Sequence, residues 1–127
     1  MKARSVLLID DNDIDKYITR AVLLKNHVTD TVVSVSSAEE GLAYLSNILL
    51  PLEKTPEYIF LDICMPDMDG FGFLDQYVKL PETVQALCSI FMLTSSIDNR
   101  DEARAQKYPC VNRFLRKPLD INILNTI

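Results

Sequence analysis

The stretch YIFLDICMPDMDG, Tyr58 to Gly70, decides how this chain is read. It opens as an apolar run, Tyr58-Ile59-Phe60-Leu61, of the kind that packs in an interior. It then meets Asp62, with Pro66 and Gly70 close behind. A carboxylate at the end of a buried strand is costly unless something compensates it. Either Asp62 caps the strand, or it is the working part of the molecule. Pro66 and Gly70 are expected to shape the turn that follows, Gly70 by taking backbone angles other residues avoid.

Working outward, four more short runs match this one. Val6-Leu7-Leu8-Ile9 is continuously apolar, and Thr31-Val32-Val33-Ser34-Val35 is β-branched. Ser89-Ile90-Phe91-Met92-Leu93 and Arg113-Phe114-Leu115 complete the set. Strands apolar on both faces belong to sheets covered on both sides. Helical patterns lie between them. Ile14, Ile18, Ala21 and Leu24 make a helical stripe, with Asn12 or Asp13 as its cap. Ser36 or Ser37 caps the next helix, and Ser37-Ala38-Glu39-Glu40 fits a capping box. That helix carries Leu42 and Leu45 and extends toward Ile48-Leu49. Gly72 to Lys79 predicts a third helix. Asp98 to Lys107 predicts a polar fourth, and Asp120 to Ile127 a last one of about two turns. Strand and helix alternate five times, which predicts an α/β fold with a doubly wound, five-stranded parallel sheet and helices on both faces.

The chain has 127 residues, 48% of them hydrophobic, enough for one domain with a real core. Neither a linker nor a repeat shows, so residues 1–127 read as a single domain. The net charge is -5 and the basic residues are scattered, which argues against a nucleic-acid partner. The first apolar run is too short for a signal peptide, and none is long enough to span a bilayer. The three cysteines, Cys64, Cys88 and Cys110, form no CxxC pair. Neither a disulfide framework nor a zinc site is suggested, and a cytoplasmic protein with reduced thiols is the simplest expectation.

Open α/β sheets bind ligands outside the carboxyl ends of their strands. Strand one delivers Asp10-Asp11 there, strand three Asp62, strand four Thr94-Ser95-Ser96, and strand five Lys117-Pro118. Three clustered carboxylates repel, and some would stay protonated if left alone. A hard divalent cation resolves the conflict, and Mg²⁺ prefers oxygen ligands while keeping positions for water and phosphate. Three Asp, one Mg²⁺ and one Lys sum to zero charge. A phosphoryl group would find both cations, with a hydrogen bond from Thr94. Those are the parts that phosphoryl transfer to an Asp nucleophile requires.

Asp10-Asp11, Asp62 in LDICMPDMDG, Thr94 in MLTSS and Lys117 in RKPL together resemble the receiver domains of two-component response regulators, a CheY-like superfamily. The resemblance covers Val6 to about Ile121 and brings the flavodoxin-like strand order 2-1-3-4-5. It implies that Asp62 is the phosphoacceptor. Asp11 would bind Mg²⁺ directly, Asp10 partly through water, and the backbone carbonyl of Cys64 would be a further ligand. Thr94 would be the switch hydroxyl, Phe114 the switch aromatic and Lys117 the phosphate-binding lysine. The Lys117-Pro118 bond is expected to be cis, as is common in the family. The donor would be a sensor histidine kinase or a histidine phosphotransfer protein. Output would go to a downstream protein target the sequence does not name, through the surface of the fourth helix, strand five and the last helix. Such a domain catalyses only its own phosphorylation and dephosphorylation.

Plainer readings stand beside these. Each Asp alone could be a strand-end cap, Thr94 a turn residue and Lys117 a solvated lysine. Phe114 also reads as an ordinary strand residue, and Cys64 as a small buried one. His27 reads as a surface residue, and the charges of Asp98 to Lys107 as a solvated face. Asp11 to Asp15, DNDID, has calcium-loop spacing, but Lys16 and Val22 stand where that loop needs Gly and Glu. Asp11-Asn12-Asp13-Ile14 is similar to the start of haloacid-dehalogenase-like phosphatases, with Asp11 as nucleophile and Asp13 as acid/base. The chain lacks room for their cap domain. A third alternative is a non-phosphorylated, receiver-like interaction module.

Overall fold

Five strands, each a few residues long, carry the architecture of the computed structural model, which describes residues 2–47, 51 and 55–126. They are β1 (Val6–Ile9), β2 (Val32–Val35), β3 (Tyr58–Asp62), β4 (Ser89–Thr94) and β5 (Val111–Arg116). All pair in parallel, in the order β2-β1-β3-β4-β5. The helices are α1 (Asp13–Lys25), α2 (Ala38–Leu45), α3 (Gly70–Tyr77), α4 (Glu82–Gln85), α5 (Asn99–Ala105) and α6 (Ile121–Leu124). The expected fold class and strand order are both present.

Alternation along each strand sends side chains to two cores. Leu7, Ile9, Ile59, Leu61, Ile90 and Met92 face α2, α3 and α5, where Phe71, Phe73, Leu74 and Tyr77 fill the space. Val6, Leu8, Phe60, Phe91, Leu93 and Leu115 face Leu23 of α1 and Leu124 of α6. Phe60 and Phe91 stack there at 5.2 Å between ring centroids. Burying both faces of β1, β3 and β4 explains their unbroken apolar runs.

Helix starts follow their caps. The Asn12 side chain accepts from the Asp15 N–H, and Ser37 from the Glu40 N–H. The capping box is displaced by one residue, since the Glu40 carboxylate accepts from the Ser36 N–H at 3.0 Å. Asp69 caps α3, which begins at Gly70, earlier than expected. A single turn, α4, follows Pro81 and had no apolar pattern to announce it. α6 is one turn rather than two. Ile48 and Leu49 lie outside the described residues.

The α1 stripe needs correction. Ile14 is 70% exposed and Ile18 39%, with Tyr17 beside them at 75%. The buried face consists of Thr19 and Leu23 instead. A buried threonine hid that face, and the two isoleucines drew attention to the wrong one.

Candidate functional site

Asp10 follows β1, and its N–H donates to Val35 of β2. The side chain is fully buried, and one carboxylate oxygen accepts from the Asn12 N–H at 2.9 Å. Asp11, next in the chain, is exposed. Asp62 is the last residue of β3 and is buried. One carboxylate oxygen from each of these three lies within 4.8 Å of the others. Such a set of hard oxygen donors, one of them wholly buried, fits a small divalent cation.

The turn after β3 holds this arrangement in place. The Gly70 N–H donates to the Ile63 carbonyl at 2.9 Å, closing the loop. Asp67, not Gly70, takes the left-handed conformation, with φ 67°. Gly70 is there for another reason: a Cβ would lie 2.8 Å from the Asp62 carbonyl oxygen and 3.0 Å from the Ile63 Cα. The Cys64 side chain is exposed rather than buried. Partial desolvation by its neighbours, and then the nearby Asp62 charge, push the thiol pKa up. Among the described residues no backbone N–H donates to the Cys64 carbonyl.

Lys117 directly follows β5. Its N–H donates to the Thr94 carbonyl at 2.7 Å, and the Lys117-Pro118 bond is cis. Its ammonium lies 2.8 Å from Asp10, 3.0 Å from Asp15 and 3.2 Å from Asp62. Burial alone would lower the Lys117 pKa, but the bonds to Asp10 and Asp15 and the charge of Asp62 carry it upward. Asp62 moves the other way from a normal carboxylate. Burial first, then the Asp10 charge, push its pKa up to about 6, against the pull of Lys117.

Thr94 is buried, and its hydroxyl donates to the Ser96 carbonyl at 2.8 Å, a closed turn rather than an open donor. Phe114 pairs with Met92 in register and is only partly buried. It lines two clefts at once.

The structure therefore brings Asp10, Asp11, Asp62 and Lys117 together, with Thr94 at the neighbouring strand end. Asp15 is the residue that sequence reasoning missed. It lies three positions after the Asn12 cap, where an acid reads simply as first-turn decoration. Asp13, which a dehalogenase-like reading would need, is 94% exposed at its side chain and pairs with Lys16.

Known proteins resemble this chain in sequence and in fold. The family model of the response regulator receiver domain matches residues 6–127. The two-component response regulator ORR8 of Oryza sativa is 29% identical over 102 residues, 80% of this chain and 75% of that protein. A two-component response regulator structure from Cytophaga hutchinsonii superposes with a TM-score of 0.90 at 30% identity, over 99% of this chain and 94% of that one. The receiver domain of the histidine kinase CKI1 from Arabidopsis thaliana, complexed with Mg²⁺, superposes with a TM-score of 0.80 at 25% identity, over 96% of this chain and 90% of that one.

Proposed function

Because the chain belongs to the response regulator receiver family, we propose that it accepts a phosphoryl group on Asp62 and passes the signal on by changing its protein-binding surface. One observation carries the residue assignment: a buried strand-end carboxylate lies within reach of a lysine ammonium and against two further carboxylates. Asp10 and Asp11, with Asp62 and the Cys64 carbonyl, would hold Mg²⁺. Bound there, the metal supplies positive charge for the oxygens of a transferring phosphoryl group.

The chain's own residues do the rest. An Asp62 carboxylate oxygen attacks phosphorus, and the bond from phosphorus to the donor nitrogen breaks. The donor imidazole leaves with that electron pair. Lys117 neutralises one phosphoryl oxygen. Thr94 gives up its bond to Ser96 and donates to another. Its movement leaves space near Phe114, which turns inward, so a local charge change biases a two-state surface. The donor is a histidine kinase or histidine phosphotransfer protein. The exposed Ile14, Tyr17 and Ile18, on the helix bordering the site, suit contact with such a protein.

The receiver reading makes this a cytoplasmic regulator with no substrate beyond its own phosphoryl group. Among the described residues no helix is long and apolar enough to cross a membrane. Acetyl phosphate with Mg²⁺, followed by intact mass and peptide mapping, tests the assignment. One labile phosphoryl group on Asp62, absent in Asp62→Asn, is expected. A group mapped to Asp11, or none at all, refutes it. Beryllofluoride, a phosphoryl mimic, should shift amide resonances near Thr94 and Phe114. Unchanged spectra there would remove the switch.

A further inference from the structure

We propose that Asp15 is a positioning residue for Lys117: a second counter-ion that holds the ammonium in the resting protein and competes for it with the phosphoryl group. The inference rests on Asp62 being the phosphoryl acceptor. An ammonium has three N–H donors, and three carboxylates already surround this one. Asp10 at 2.8 Å and Asp15 at 3.0 Å form the two hydrogen bonds, while Asp62 stands farther off at 3.2 Å. Lys117 is therefore committed before any phosphoryl group arrives.

A phosphoryl group on Asp62 brings new anionic oxygens and needs one of those donors back. The partners are not equally easy to give up. Asp10 is fully buried, and its other oxygen is tied to the Asn12 N–H. No solvent reaches it to replace the ammonium, and until Mg²⁺ binds, releasing Lys117 would strand a buried charge. The Asp15 side chain is 37% exposed. It borders a cleft of about 310 Å³ lined by Ile18, Thr19, Ser95, Lys117 and Pro118. It has both water and room to swing out. Asp15 is also not spent on capping: its N–H is the group capped by Asn12, and among the described residues its carboxylate bonds only Lys117. Phosphorylation then exchanges one ion pair for another, and α1 loses its tie to the end of β5 at the same moment.

The competition makes a directional prediction. Asp15→Asn should tighten beryllofluoride binding in saturating Mg²⁺ by about fivefold, the size expected for contacting charged groups. Calorimetric titration reads it, with thermal melts confirming that each variant is folded. Asp15→Glu, which keeps the charge, should return binding to within about twofold of wild type. Asp13→Asn removes the same charge from the same helix turn without touching Lys117, and should likewise leave binding within about twofold. In a Lys117→Met background the Asp15→Asn gain should vanish.

Asp15→Asn binding no tighter than wild type overturns the proposal. So does an equal gain from Asp13→Asn, or a gain that survives in Lys117→Met, since either would be a general field effect. Wild-type protein that binds no beryllofluoride at all would instead remove the acceptor reading, and this inference with it. If Asp15→Asn did not fold, Asp15→Ser, which also removes the charge, takes its place: tighter binding of the mimic supports the exchange, and unchanged or weaker binding overturns it.

Discussion

The two sides of the sheet are built differently. β1 and β3 are wholly enclosed apart from the first residue of β3, and the acids Asp10 and Asp62 extend from them. β5 is an edge strand in which Leu115 alone is buried. Its neighbour α6 is one turn long and buries only Leu124. A cleft of about 730 Å³ runs along the end of β5 and α6, and another of about 330 Å³ lies between α5 and β5. The carboxylates thus stand on a rigid foundation, while Lys117 and Phe114 belong to the side with room to move. A charge change at the rigid side can be read out on the loose one, because interiors packed to crystal density do not deform gradually and half-packed edges can repack.

That comparison fails if the two sides prove equally stable. Phe60→Ala, between the sheet and α1, should cost about 3–5 kcal/mol. Ile123→Ala, on the exposed face of α6, should cost less than about 0.5 kcal/mol. Chemical denaturation measures both. Amide exchange should follow the same order, with β1 and β3 slowest and β5 faster. A β5 as protected as β3 would mean that the clefts beside it do not loosen it.

Rigidity has an electrostatic cost at Asp62. The folded state raises its pKa from 3.8 to about 6 in the metal-free protein. A raised carboxylate pKa means that folding favours the neutral form. That contribution is complete below about pH 4 and is lost as pH climbs through about 6. Asp62→Asn cannot lose it. The variant should therefore match wild type near pH 4 and exceed it by about 2–3 kcal/mol near pH 8 without metal. Mg²⁺ should narrow the difference. Equal stability of the two proteins at high pH would show that the site tolerates its three acids unaided.

Gly70→Ala probes the same foundation from the backbone. Its Cβ would press on the Asp62 carbonyl and the Ile63 Cα, atoms that cannot rotate away. Destabilisation of about 2 kcal/mol is expected. Because the strain falls on Asp62 itself, phosphorylation by acetyl phosphate should slow as well. A variant with wild-type stability and rate would show that the loop after β3 adapts more freely than its contacts suggest.

How far the sequence foretells these two sides follows from how each is made. The five strands were legible because burial on both faces leaves an unbroken apolar run, and such runs depend little on partners. The rim residues Asp10, Asp11, Asp62, Thr94 and Lys117 were legible because strand ends in this architecture converge. Helix faces were harder. Thr19 is buried and Ile14 exposed, so hydrophobicity alone pointed α1 the wrong way. Gly70 stands out in the sequence as a turn residue, but its role is close approach to Asp62, which depends on the turn's path and not on the residue's own angles. Asp15 was invisible because its meaning depends on Lys117, 102 residues away. Long-range pairing of single side chains leaves no periodic trace.

Phe114 offers the smallest and most specific test of the comparison. It is partly buried against the core shared by α2, α3 and α5, and it lies between the two clefts. Removing a half-buried ring beside existing space forfeits little area and opens little new cavity, so Phe114→Ala should cost only about 1 kcal/mol. The larger consequence should be in communication. With beryllofluoride and Mg²⁺, amides around Asp62 and Thr94 should still shift, because the charge change there is intact. Shifts in α5 and α6 should shrink, because the proposed switch runs through this ring. A variant that transmits the change undiminished would place the coupling elsewhere, in the Lys117 backbone bond to Thr94 that also joins the two strand ends.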